Sequence, residues 1–179
     1  ASREECFRRS YYPPVMKARY DVTMDADNSV LSWDAKVAQA QSVFQPYGMS
    51  RLALPTKSIR VSYGNIDAPL PFAWMRGVGH TQNAWMNQGI VSELAAAAGM
   101  STVDYLMAQY DPAKVDPARA DHADAVERIE RLRRVLAELV TFADPPGEQG
   151  KGRGRGVSVY DMSYLPGMSS STLAIALDV

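Results

Sequence analysis

Apolar and polar residues alternate twice near the start of the chain. Tyr20, Val22 and Met24 are separated by polar neighbours, as are Leu31, Trp33, Ala35 and Val37. That period of two is the mark of a strand with one buried face. The stretch between them, Asp25-Ala26-Asp27-Asn28-Ser29, is made of turn formers, so the two runs predict a β-hairpin. Pro13-Pro14 ahead of it marks an extended approach. From Gln41 to Ser58 no period is visible, and Pro46, Gly48 and Pro55 predict a loop. Ile59 to Tyr63 reads as a short strand, and Gly64 to Pro71 as a second irregular connection.

Beyond about Gln82 the spacing turns helical. Trp85, Ile90, Leu94, Ala97 and Ala98 recur three to four residues apart, and Gly99 supplies a stop. Gly89 weakens this helix, which suggests close packing by another element at that point. Ser101-Thr102-Val103-Asp104 resembles a capping box with Asp in place of Glu and opens a short second helix through Tyr105 and Met107. Asp111 to Asp121, with Pro112 and Pro117 and many charges, reads as a solvated linker. Val126, Ile129, Leu132, Val135, Leu136, Leu139 and Val140 then form one stripe of a third helix, ended by Pro145-Pro146-Gly147. Its apolar face is expected to pack on the hairpin sheet rather than serve as a free-standing interaction module. A basic glycine-rich connector, Gly150 to Gly156, leads to the strand Val157 to Tyr160. A glycine- and serine-bearing turn precedes a last strand. The expected class is α+β: an antiparallel hairpin sheet packed against about three helices.

Bulk properties narrow the function. A length of 179 residues suits one domain. A net charge of −1 gives no field favouring nucleic acid. The basic run from Lys151 to Arg155 lacks interleaved aromatics, so a basic loop accounts for it better than a nucleic-acid surface. Cys6 is the only cysteine, which excludes an internal disulfide and a cysteine-rich metal site. No apolar run approaches the roughly 18 to 20 residues needed to cross a bilayer. The N-terminus has neither an initiator methionine nor a signal-peptide pattern, and Leu173 to Val179 stop as if within a strand. An internal segment of a longer chain is therefore expected.

The candidate chemistry lies in Phe72-Ala73-Trp74-Met75-Arg76-Gly77-Val78-Gly79-His80-Thr81-Gln82, at the mouth of the first helix. Glycines let backbone approach a ligand, and the first N–H groups of a helix lack intrahelical partners. An arginine beside them suits an anionic or polar group. On local features alone Arg76 either serves that purpose or ties its loop together through carbonyls. The dinucleotide fingerprint fails, because Gln82 stands where a third glycine belongs. No G-x-S-x-G elbow is present. His80 and His122 have no cysteine or paired carboxylate at ligand spacing, so no metal site is expected, and each reads as a surface or loop histidine. Of Trp33, Trp74 and Trp85, only Trp74 belongs to the loop; large aromatics otherwise belong to cores.

Ala73 to Gln82 resembles the A-F-R-G-F-G-G-P-Q loop of molybdenum hydroxylases, the xanthine dehydrogenase and aldehyde oxidase family. It is closer still to the W-R-S-V-G-x-x-Q-N-A form of isoquinoline 1-oxidoreductase β-subunits and related bacterial aldehyde dehydrogenases. Other segments agree in order. Ser2-Arg3-Glu4-Glu5 is similar to T/S-R-E-D/E, and Asp25-Ala26-Asp27 with Val30 to Trp33 to D-A-D-G-x-L-V-A-W. Ile90 to Gly99 is similar to F-I-D-E-L-A-x-A-A-G, and Gly152 to Val159 to G-R-G-R-G-I-A-V. Val78 departs from xanthine-type enzymes, which carry an aromatic there. Met75 is inserted relative to the usual W-R pair. Gln88 stands where many relatives have Glu, and Gly89 replaces a bulky residue.

The resemblance implies that residues 1–179 are part of a larger molybdopterin-binding domain within a large subunit, inactive alone. It implies oxidation of aldehydes or N-heteroaromatic carbons with water-derived oxygen, with molybdopterin cytosine dinucleotide as cofactor. A small [2Fe–2S] subunit would be the partner that carries electrons away. Arg76 would orient substrate or stabilise developing negative charge, and Gly77, Val78, Gly79 and Gln82 would line the cofactor. The family's general base, a glutamate in a G-E-x-G context, lies near the end of the full subunit and is expected outside this segment. The alternative is a non-catalytic structural domain from a tandem or decayed copy. Relatives are often exported already folded, so both cytoplasm and periplasm stay open.

Overall fold

A computed structural model describes residues 2, 4–5, 8, 11–12, 14–40, 48–49, 52, 54–67, 69, 71–72, 79–142, 155–162 and 171–178. In the last segment only the Ile175 side chain is included. Expectations for Cys6, Trp74, Arg76, Gly77, Val78, Pro145 to Gly147 and Gly150 to Gly154 lie outside these residues. So does the turn expected before the last strand.

The hairpin is present. β1 (Met16–Met24) and β2 (Val30–Ala40) pair antiparallel, and β1 alternates half-buried and exposed along its whole length. Its turn is held by Asp25, whose Oδ1 accepts from the N–H groups of Asp27 and Ser29 at 3.0 and 2.9 Å. Asn28 takes φ 60°, a left-handed conformation that asparagine tolerates. The strict alternation expected of β2 fails at one point. Thr23 pairs with Ser32 but Met24 pairs with Val30, so Leu31 is the extra residue of a bulge. Val30 is therefore buried in its place, ahead of Trp33, Ala35 and Val37.

β3 (Ser58–Ile66) adds to the other edge of β2, parallel to it, in the order β1-β2-β3. The sheet is thus mixed rather than wholly antiparallel. The intervening loop does more than connect. Met49, Leu52 and Leu54 are buried in the core, a role that their aperiodic spacing conceals.

Three helices follow: α1 (His80–Ala97), α2 (Thr102–Gln109) and α3 (His122–Phe142). The Ser101 cap of α2 forms as expected, with its Oγ accepting from Asp104 N at 3.1 Å. Gly99 takes φ 69° just beyond α1, as a helix stop requires. The expected linker folds partly into a 3-10 turn at Pro112–Lys114, and Val115 is buried. A second sheet pairs β4 (Arg155–Met162) with β5 (Ser171–Asp178) antiparallel.

α3 buries Ala125, Ile129, Leu132 and Leu136, while Val140 of the expected stripe is exposed. Its closest neighbours are β4 and β5, not the hairpin sheet. The cause is electrostatic as well as apolar: Arg128 and Arg131 on α3 reach Asp161 on β4. One hydrophobic cluster draws on β2, the Met49 to Leu54 segment, all three helices and β4. No helix among the described residues is long and apolar enough to cross a membrane.

Candidate functional site

The expected apolar face of α1 holds at Leu94, with Ile90 and Ala98 packed against the core, but fails toward the N-terminus of the helix. Its buried residues are His80, Asn83, Asn87, Val91, Leu94 and Ala95, while Trp85 is 80% exposed. Gly89 is exposed, with nothing near the position a Cβ would take. The C-terminal half of the helix enters the core through Val91, Leu94 and Ala95. The N-terminal half buries polar side chains, which are tolerated inside when hydrogen-bonded. A hydrophobicity pattern cannot see such a face.

Those bonds tie the start of α1 to three other parts of the chain. Asn87 Nδ2 donates to the Gly48 carbonyl at 3.1 Å, and the Tyr20 hydroxyl of β1 donates to Asn87 Oδ1 at 3.1 Å. His80 Nδ1 lies 3.0 Å from the Tyr160 hydroxyl of β4, and the two rings meet edge to face at 5.8 Å. Gln88 Oε1 accepts from the N–H of Val159 at 3.3 Å. His80 is 2% exposed, so it is neither a surface nor a loop histidine as its spacing suggests. His122, by contrast, sits by a turn with Nδ1 3.0 Å from the Asp116 carbonyl oxygen. Burial pushes the Tyr20 hydroxyl well above the ordinary phenol range, which keeps it a donor.

Gly48 completes this arrangement for two reasons. Its φ is +86°, where an L side chain is strained, and a Cβ would overlap the Tyr160 hydroxyl and come 2.8 Å from His80 Nδ1. The glycine admits both side chains.

Arg76, Gly77 and Val78 lie outside the described residues, but the residues flanking residues 73–78 are well placed. On one side Phe72 is buried and bridges Tyr12, whose N–H donates to the Pro71 carbonyl at 3.0 Å. On the other, buried Gly79 is the N-cap of α1 with φ 75° and ψ −32°. Its carbonyl accepts from Asn83 N at 3.1 Å. Glycine at the N-cap offers no side-chain hydrogen bond to this helix, and the first turn carries no acidic residue. Gln82 is half-buried in that turn. Gly79 and Gln82 thus share one helix end with His80, Asn83 and Asn87. The sequence did hold a signal for the last three: offsets of three and four put them on one helical face.

A nicotinate dehydrogenase subunit of Pseudomonas putida (strain KT2440) is 27% identical over 121 residues, which is 68% of this chain and 10% of that protein. The chain therefore spans about a tenth of the length of the curated relative it matches. Among solved structures, quinoline 2-oxidoreductase from Pseudomonas putida 86 superposes with a TM-score of 0.59 at 13% identity, covering 90% of this chain and 23% of that one. Aldehyde oxidoreductase from Desulfovibrio gigas gives a TM-score of 0.44 at 14% identity over 83% of this chain and 18% of that one. No family model matches. The likeness to the molybdenum hydroxylases that the motifs carry is borne out in sequence by the first and in fold by the second.

Proposed function

We propose that this chain is part of the large, molybdopterin-binding subunit of a molybdenum hydroxylase that oxidises an electron-poor carbon of an N-heteroaromatic compound or an aldehyde. The observation that carries the reading is the 121-residue likeness to the nicotinate dehydrogenase subunit. That enzyme's name points to a pyridine carboxylate, which favours the N-heteroaromatic side of the pair. The chain alone would be inactive, and its partners would be the rest of the large subunit and a small [2Fe–2S] subunit.

The start of α1 supports a fit to an anionic cofactor. Among the described residues no carboxylate of the first turn opposes the helix's positive end, and Gly79 brings bare backbone there. Gly77, Val78, Gly79 and Gln82 would line molybdopterin cytosine dinucleotide, which when bound supplies the redox chemistry. Arg76 would do the chain's own share of the work. Its guanidinium stays charged throughout the working pH range and can hold a carboxylate or carbonyl oxygen through paired N–H donors. Donors fixed in advance toward charge that develops in the transition state lower the barrier without reorganisation.

The test is Arg76→Ala in the complete, cofactor-loaded enzyme. Turnover should fall roughly 100-fold or more while molybdenum content stays near that of the parent. Unchanged turnover would make Arg76 loop scaffolding and favour a non-catalytic domain from a tandem or decayed copy.

A further inference from the structure

We infer that the outward face of α1 around Trp85 is a docking surface for an uncharged helix of the remaining large subunit; the inference rests on the reading of this chain as part of that subunit. Trp85 is 80% exposed, although few side chains offer more apolar surface to bury. Gly89, Ser92 and Ala96 follow it at steps of four and three residues, so the four share one exposed stripe. No Asp, Glu, Lys or Arg belongs to that stripe, and Glu93 is the only such residue in the helix. α3 shows how this chain builds a helix face for water. Glu127, Glu130, Arg134 and Glu138, also three and four apart, line its exposed stripe.

The stripe is shaped for a close neighbour. A mid-helix glycine costs stability relative to alanine, yet a Cβ at Gly89 would meet nothing within 4 Å. The Ser92 hydroxyl donates to the Gln88 carbonyl at 3.1 Å, so it is satisfied within its own helix and the stripe calls for no charged partner. Small residues beside one large one let a second helix lie close, with its side chains set against Trp85.

Area decides the kind of occupant. From Trp85 to Ala96 the stripe runs about 17 Å along the axis, and at a helix width of about 10 Å it offers on the order of 170 Å². A free partner needs roughly 800 Å² on each side for a stable interface. A segment tethered in the same polypeptide avoids most of the cost of association, so a patch of this size can hold it. The relatives have ample chain for this: residues 1–179 span 10% of the nicotinate dehydrogenase subunit and 23% of the quinoline 2-oxidoreductase chain.

Hydroxyl-radical labelling of the complete large subunit, read by mass spectrometry, tests this. Trp85 should label as slowly as Trp33, which is 1% exposed. Labelling at the rate of a tryptophan in a short peptide overturns the inference. So does protection that disappears when the small subunit is removed or when a dimer is diluted to single copies, because the face then belongs to a separate chain. Gly89→Ala adds a test of sign. Helix propensity alone predicts a higher urea midpoint for that variant. A helix packed closely over Gly89 reverses the sign, so the midpoint of the complete subunit should fall, and a rise or no change overturns the inference. Neither readout uses turnover. A subunit that holds no molybdenum, or an Arg76→Ala variant of intact turnover, therefore ends the functional reading and leaves both results standing.

Discussion

Asp161 of β4 and Arg131 of α3 form a short ion pair, with Nη2 donating to Oδ1 at 3.1 Å and the carboxylate side chain 2% exposed. Arg128 adds Nε at 3.7 Å from Oδ2, and donates through Nη2 to the Leu52 carbonyl at 2.8 Å. Removing the anion leaves two guanidinium groups together without it, and an incomplete buried pair costs far more than an absent one. Asp161→Ala should therefore lower stability by about 3 kcal/mol or more, read from urea midpoints of the complete subunit. Asp161→Asn, which keeps an acceptor, should lose less. A loss under about 1 kcal/mol for the alanine variant would place the pair with solvent-screened surface bridges.

Trp33 and Trp85 should respond in opposite ways. Trp33 is 1% exposed and meets Tyr20 edge to face at 5.4 Å, whereas Trp85 is 80% exposed. Trp33→Ala should cost about 3–5 kcal/mol by opening a cavity in the core. Trp85→Ser should stay within about 0.5 kcal/mol of the parent in an isolated domain. Thermal denaturation of the two variants side by side decides the matter; equal losses would contradict the assigned face of α1.

Tyr105 gives a pH dependence of known sign. Burial, with a smaller contribution from the negative charge of Asp25, pushes its hydroxyl up to about 12. The neutral phenol donates toward Met24 Sδ and the Asn28 carbonyl at 3.4 and 3.3 Å. Its folded pKa lies above the unfolded value near 10, so its contribution is complete below pH 10 and drains away between about pH 10 and 12. Tyr110 shifts in the same direction, chiefly through burial. Denaturant midpoints measured from pH 8 to 12 should fall along the alkaline limb, and Tyr105→Phe should flatten it. A limb of unchanged slope in that variant would remove Tyr105 from the account.

Local patterning made much of this fold legible. The hairpin follows from alternation around Asp25 to Ser29, the α2 cap from Ser101 and Asp104, and α3 from its stripe. What escaped was set by tertiary contacts. The Leu31 bulge swaps a buried position to Val30 with no local sign. Met49, Leu52 and Leu54 enter the core from a loop without a period. At the candidate site, Gly79 and the helix mouth were readable from glycine and helix rules. The three- and four-residue spacing of His80, Asn83 and Asn87 marked one helical face but not its burial, because polar side chains carry no hydrophobic signal even when tertiary partners satisfy them. Tyr160 lies 80 positions from its partner His80, a pairing that no local window contains.

The parallel placement of β3 also bears on how the sheet is assembled. β1 and β2 meet across the short Asp25 to Ser29 turn, but Ser58 pairs with Ser32, at the start of β2, and is separated from the end of that strand at Ala40 by residues 41–57. Closing that longer span costs more entropy before any contact rewards it, so the third strand should join after the hairpin has zipped. Until then the outer edge of β2 stands bare, a template on which a neighbouring nascent chain can pair, and that interval is when this region is most exposed to aggregation.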